Sequence, residues 1–186
     1  MIMMSSSKMF SYAGQRIAIL AISDALYHRQ YERLHDWCGI ARLGDAFALG
    51  LLYAISSGVS HSAQRAFAEM LRAASDGELD FVQEASEYAK RAQICKKFFL
   101  NNGFHIVYSM DGEEQVSDGF FFTAGYKDMT GGELVGELIR YGMSTISLTT
   151  TGSHQQGVRI CVSQLNRPEQ FEMLEERLKL FAVDHQ

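Results

Sequence analysis

Within twelve residues, Ser5-Ser6-Ser7-Lys8-Met9-Phe10-Ser11-Tyr12-Ala13-Gly14-Gln15-Arg16 brings together an amine, several hydroxyls and a guanidinium. A lysine that follows a buried strand end and is flanked by hydroxyls can be desolvated enough to lose its proton and attack an aldehyde, forming a Schiff base. A dianionic phosphate needs several convergent donors. Ser5, Ser7 and Arg16 supply two hydroxyls and a guanidinium fork around the same loop, and Gly14 permits close backbone approach. The plain alternative is a serine-rich surface turn carrying an exposed lysine. Five chemically suited positions in one strand-loop-strand setting weigh against it.

The flanking segments must hold that loop. Met1 to Met4 reads as the end of a strand, and Ile17-Ala18-Ile19-Leu20-Ala21-Ile22 is a continuous apolar run suited to a strand covered on both faces. Helices are expected near 25–36, 42–56 and 60–73, separated by Gly39 and by Ser56-Ser57-Gly58. After Asp76-Gly77 one long helix is expected to run to Asn101-Asn102-Gly103, with Phe81, Val82, Ala85, Tyr88, Ala89, Ala92 and Cys95 on a single face. It forms the natural boundary between two packed units and should connect them rigidly. The last third alternates, with strands near 104–108, 119–125, 143–149 and 157–163 and helices near 131–141 and 167–182. Capping boxes are expected at Thr130 with Glu133 and at Asn166 with Glu169, and Pro168 sits in a first turn where it is tolerated. The fold class is therefore α/β over about 1–75, followed by an α+β unit over 76–186.

A second residue asks for an anion. Gly157-Val158-Arg159-Ile160-Cys161-Val162-Ser163 alternates as a strand and puts Arg159 on the face opposite Val158 and Ile160. An arginine centred in such a strand pairs either with a ligand carboxylate or with one of the 22 acidic residues of the chain.

Other stretches carry weaker signals. His35 and Cys38 stand three apart with no second pair at metal spacing, which makes a zinc site improbable. Thr130-Gly131-Gly132 is neither a dinucleotide fingerprint nor a P-loop, and reads as a cap. The hydroxyl-rich run from Ser147 to His154 is close enough to Arg159 to line a pocket, or is a solvated loop. Lys90-Arg91 and Lys96-Lys97 complement the dipole in the C-terminal half of the long helix.

Composition narrows the class. The 186 residues are 47% apolar with a formal charge of −5, enough for a sizeable core and contrary to a nucleic-acid binder. Three distant cysteines, Cys38, Cys95 and Cys161, suit a reducing cytoplasm. No apolar run approaches a membrane span and no signal peptide is evident, so a cytoplasmic protein without membrane contact is expected.

The loop resembles the lysine signature of the class I and II aminotransferases, fold-type I enzymes that use pyridoxal 5′-phosphate (PLP). That signature has a serine three before the lysine, often one directly before it, a glycine six after and an arginine eight after, as do Ser5, Ser7, Lys8, Gly14 and Arg16. The resemblance implies that Lys8 binds the cofactor as a Schiff base and moves a proton at the substrate α-carbon, while Ser5 and Arg16, with Ser7 assisting, hold the phosphate. It implies that Arg159 clamps the α-carboxylate of an amino acid or 2-oxo acid, and that the parent enzyme is a homodimer. Family members run to about twice this length. The chain then corresponds to the C-terminal part of a large PLP-binding domain (1–75) and a small domain (76–186), and is expected to be inactive alone. Two other readings share these features: a lyase, decarboxylase or synthase of the same fold type, and a non-catalytic effector-binding or dimerisation module.

Overall fold

The computed structural model describes residues 1–116 and 119–186. It is a mixed α/β structure with small sheets, divided into two compact units, Met1–Phe81 and Val82–Gln186.

In the first unit, β1 (Ile2–Ser5) leads into one helical turn, α1 (Ser6–Met9), then a short 3₁₀ turn at Ala13–Gln15 and β2 (Ala18–Ala21). The two strands pair antiparallel, with Ser5 opposite Ala18 and Ile2 opposite Ala21. Then follow α2 (Asp24–Tyr27), α3 (Glu32–Cys38), α4 (Leu43–Asp45), a π-helical stretch Ala46–Tyr53, α5 (Ala54–Ser56) and α6 (His61–Ser75). The helix expected over 42–56 is thus α-helical only at its ends. The core of this unit is small: Ile17, Ala63 and Phe67, with Phe10, Tyr12, Ile19, Val59 and Leu71 packed around them.

The double-sided burial expected for 17–22 is not found. Ile17 is buried, but Ala18, Leu20 and Ala21 are exposed, because the β1–β2 sheet has only two strands among the described residues. The apolar π-helical stretch is likewise open, with Leu49, Leu52 and Tyr53 all more than two-fifths exposed. A helix apolar all round ordinarily lies inside a protein.

In the second unit, α7 (Phe81–Asn101) contributes its residues from Val82 onward. Then come β3 (Phe104–Ile106), a small hairpin of β4 (Met110–Asp111) and β5 (Glu114–Gln115) absent from the sequence expectation, β6 (Phe121–Tyr126), α8 (Gly131–Arg140), β7 (Ile146–Ser147), β8 (Val158–Cys161) and α9 (Pro168–Asp184). The main sheet is antiparallel in the order β3-β6-β8-β7. Alternation sends Phe104, Phe122, Ala124, Tyr126, Val158 and Ile160 into a core closed by Ala92, Cys95 and Phe99 of α7, Leu134 and Leu138 of α8, and Leu178 and Phe181 of α9. Helices cover one face, so His105, Thr123, Arg159 and Cys161 fall on the other.

Thr130 caps α8 with the expected box. Its Oγ1 accepts from the Glu133 N–H at 3.3 Å, and the Glu133 carboxylate accepts from the Thr130 N–H at 2.8 Å. At α9 the expected Asn166–Glu169 box is replaced. Gln170 Oε1 accepts from the N–H groups of both Asn166 and Arg167, each at 3.0 Å, because the helix starts one residue later, at Pro168. No described helix is long and apolar enough to cross a membrane.

Candidate functional site

The lysine loop is tied at its base by a residue the sequence analysis did not single out. Ser6 is fully buried, its Oγ donates to the Ile17 carbonyl at 2.7 Å, and its N–H reaches the same carbonyl at 3.3 Å. The Ser6 carbonyl in turn accepts from the N–H groups of Phe10 and Tyr12, at 3.1 and 3.3 Å. Phe10 then enters the small core, its ring meeting Phe67 edge-on at 5.5 Å. A knot of backbone bonds around one hydroxyl therefore fixes the loop between β1 and β2. Among three adjacent serines and a lysine nothing in the sequence marks position 6; only the strand pairing selects it.

That knot decides where the expected site residues point. In one helical turn Ser6 and Phe10 share the inward side, whereas Lys8 lies roughly 200° round from Ser6. Lys8 is exposed, as are Ser5 and Arg16, while Ser7 is half-buried. The desolvation expected for Lys8 is therefore absent in this chain: the inward face of the turn is already taken by Ser6 and Phe10. Ser5 Oγ accepts from the Ser7 N–H at 3.3 Å. Arg16 adopts a left-handed backbone (φ 53°) and donates from Nη1 to the Ala13 carbonyl at 3.0 Å, curling over its own loop. Among the described residues no carboxylate lies within 4 Å of its guanidinium.

Arg159 occupies the middle of β8, opposite Thr123 of β6 and Ile146 of β7. Its guanidinium stacks on the Phe121 ring, 4.3 Å from the centroid. Among the described residues it has no acidic partner within 4 Å, so the structural ion pair weighed for it does not form there. A half-buried arginine on a sheet face, backed by an aromatic ring and with no carboxylate within 4 Å among the described residues, retains donors for an anion. Thr123 beside it accepts from the Tyr108 N–H at 2.9 Å.

The remaining candidates are absorbed locally. The Gly131 N–H at the start of α8 donates to Gln156 Oε1 at 2.8 Å, and a Cβ on Gly131 would stand 2.6 Å from the Gly157 carbonyl oxygen, so this glycine serves close packing. Ser147 Oγ is bonded to the hydroxyls of Thr149 and Thr150 at 3.0 and 2.8 Å, inside a 3₁₀ turn at Thr149–Thr151. Cys38 Sγ donates to the Leu34 carbonyl at 3.1 Å. Among the described residues no three His, Cys, Asp or Glu side chains are grouped to hold a metal ion. Burial pushes the Cys95 thiol up to about 12, which removes it from nucleophilic chemistry.

The donor set can be compared with what PLP requires. Ser5, Ser7 and Arg16 are donors of the type a phosphate takes as partners, and Lys8 is an amine of the type an aldehyde takes. The pyridine ring has none assigned. The chain matches no protein-family model and no curated protein sequence.

Proposed function

We propose that this chain is the C-terminal portion of a fold-type I, PLP-dependent aminotransferase, comprising part of the large domain and the small domain, and belonging to a homodimeric cytoplasmic enzyme. The observation that carries the reading is the lysine loop. Two antiparallel strands, knotted at Ser6 and Ile17, present Ser5, Ser7, Lys8 and Arg16 on one short connection, and among the described residues no carboxylate lies within 4 Å of the Arg16 guanidinium. Arg159 adds a second, independent support as a cation with no acidic partner within 4 Å among the described residues.

In this reading Arg16, Ser5 and Ser7 hold the phosphate, and Lys8 supplies the amine that anchors the cofactor and moves a proton at the substrate α-carbon. When bound, PLP supplies the electron sink. Arg159 orients an amino acid or 2-oxo acid through its α-carboxylate, with the Phe121 ring against its guanidinium. Water exclusion is not met around the exposed lysine of this chain, so transamination by it alone is not expected. That same exposure favours one second reading, a non-catalytic module that binds an effector or mediates dimerisation.

The test is titration of the chain with PLP, followed by borohydride reduction and peptide mapping, with Lys8→Ala as control. Label concentrated on Lys8 over the five other lysines, and lost in Lys8→Ala, supports the PLP reading. Label spread evenly over all lysines and indifferent to the substitution overturns it.

A further inference from the structure

The second unit contains a cavity that no part of the proposed catalytic reading uses. A strand is expected over 143–149, yet β7 comprises Ile146–Ser147 only. The cause lies at the end of α8. Gly142, in the left-handed region (φ 73°), donates its N–H to the Ile139 carbonyl at 2.8 Å, and the Met143 N–H reaches the Leu138 carbonyl at 2.9 Å. These two bonds form a Schellman closure that holds the chain on the helix end. The β7–β8 register, Ile146 opposite Arg159 and Ser147 opposite Val158, would set Thr145 opposite Ile160 if the ladder continued. It stops instead, and a cavity of about 260 Å³ opens between residues 142–145, β8, α7 and α9.

Its lining has two characters. Phe99, Ile160, Leu165 and Leu174 form an apolar body. Thr145 also lines it, with its hydroxyl oxygen buried behind the wall and without a hydrogen-bond partner among the described residues. At the mouth stands Arg177, whose Nη1 donates to the Gly142 carbonyl at 2.7 Å. Its guanidinium lies so close that a Cβ on Gly142 would sit 3.0 Å from it. Among the described residues Arg177 has no acidic partner within 4 Å, although α9 carries several glutamates.

We infer that this cavity is a binding site for a small monocarboxylate with a compact apolar body, its carboxylate held by Arg177. Arg177 retains donors beyond the one used on Gly142, and a planar guanidinium suits a carboxylate better than a neutral group. The apolar floor excludes a second charge deep in the cavity, which separates this ligand from a dicarboxylate or a phosphate ester. The site is independent of Lys8 and of Arg159, whose side chain leaves β8 on the opposite face from Ile160, so it stands or falls apart from the aminotransferase reading.

The probe is benzoate, with benzyl alcohol as its neutral counterpart, titrated calorimetrically and mapped by amide chemical shifts on the full chain. The expected result is saturable benzoate binding, shifts centred on 143–145, Ile160 and Leu174, and binding of benzyl alcohol at least tenfold weaker. Arg177→Gln should weaken benzoate at least tenfold. If Arg177→Gln unfolds the unit, the comparison of benzoate with benzyl alcohol on the unaltered chain still decides the matter. Equal binding of the two probes, no saturable benzoate binding, or shifts centred on Thr123 and Arg159 overturn the inference.

Discussion

Ser6→Ala removes one oxygen from a fully buried site, and its consequence can be worked from the bonds around it. The lost donor served the Ile17 carbonyl at 2.7 Å, but that carbonyl still accepts from the Ser6 N–H at 3.3 Å, so no acceptor is left wholly unpaired. The cost should therefore fall near the ordinary value of one hydrogen bond, about 1 kcal/mol, and not near the larger penalty of a stranded buried group. A local opening easier by that amount raises the open population roughly fivefold. Because the chain has two compact units, a single global unfolding energy is a poor measure, and amide hydrogen exchange is the proper assay. The reporters are the N–H groups of Phe10 and Tyr12, both bonded to the Ser6 carbonyl. Their exchange should quicken roughly fivefold, while amides of β6 and α8 keep their rates. Lys8→Ala, two residues away but exposed, should stay within about 0.5 kcal/mol of the parent. Equal effects from the two substitutions, or unchanged exchange at Phe10 and Tyr12 in Ser6→Ala, would refute the account of the loop as a knot around one hydroxyl.

Gly157→Ala should destabilise the second unit by on the order of 1–3 kcal/mol in urea denaturation, because the position has φ 129° and a Cβ there would stand 2.7 Å from the Ala124 carbonyl oxygen; a neutral outcome would contradict the close approach of β8 to β6. In the native chain at pH 8 a thiol reagent should modify exposed Cys161 readily and Cys95 only on unfolding, since burial raises the Cys95 thiol to about 12; equal labelling rates would refute this. The bonds from the Thr130 hydroxyl and N–H hold the Glu133 carboxyl below its ordinary value. The stability this confers is present above the unfolded carboxylate pKa and lost as pH falls through the lower folded one, so Glu133→Gln should flatten the acid limb of the melting profile, and an unchanged acid limb would count against the cap.

The local signals in the sequence carried far in the second unit. The period-2 alternation of Val158, Arg159 and Ile160 placed Arg159 opposite the core before any partner strand was known, because side-chain alternation is a property of the strand alone. The capping box at Thr130 was equally readable, since its bonds span only three residues. Residues 143–149 misled. Their composition favours a strand, but the Schellman closure after α8 holds Met143 at the helix end, and the distance from β8 is a tertiary quantity. The extent of the helix at 42–56 was legible, and its π-helical middle was not.

For the candidate site the division is sharper. Residue type and spacing alone brought Ser5, Ser7, Lys8 and Arg16 onto one loop and named the chemistry their groups could perform. Which serine is buried, and which way Lys8 faces, depended on the pairing of Ser5 with Ala18 and on the bond from Ser6 to Ile17, eleven residues away. Likewise, sequence could ask for an anion at Arg159 without saying whether a carboxylate of the chain would reach it. Short-range geometry is written in neighbouring residues. Burial, desolvation and ion pairing depend on what the rest of the chain brings alongside, and only the tertiary structure decided them.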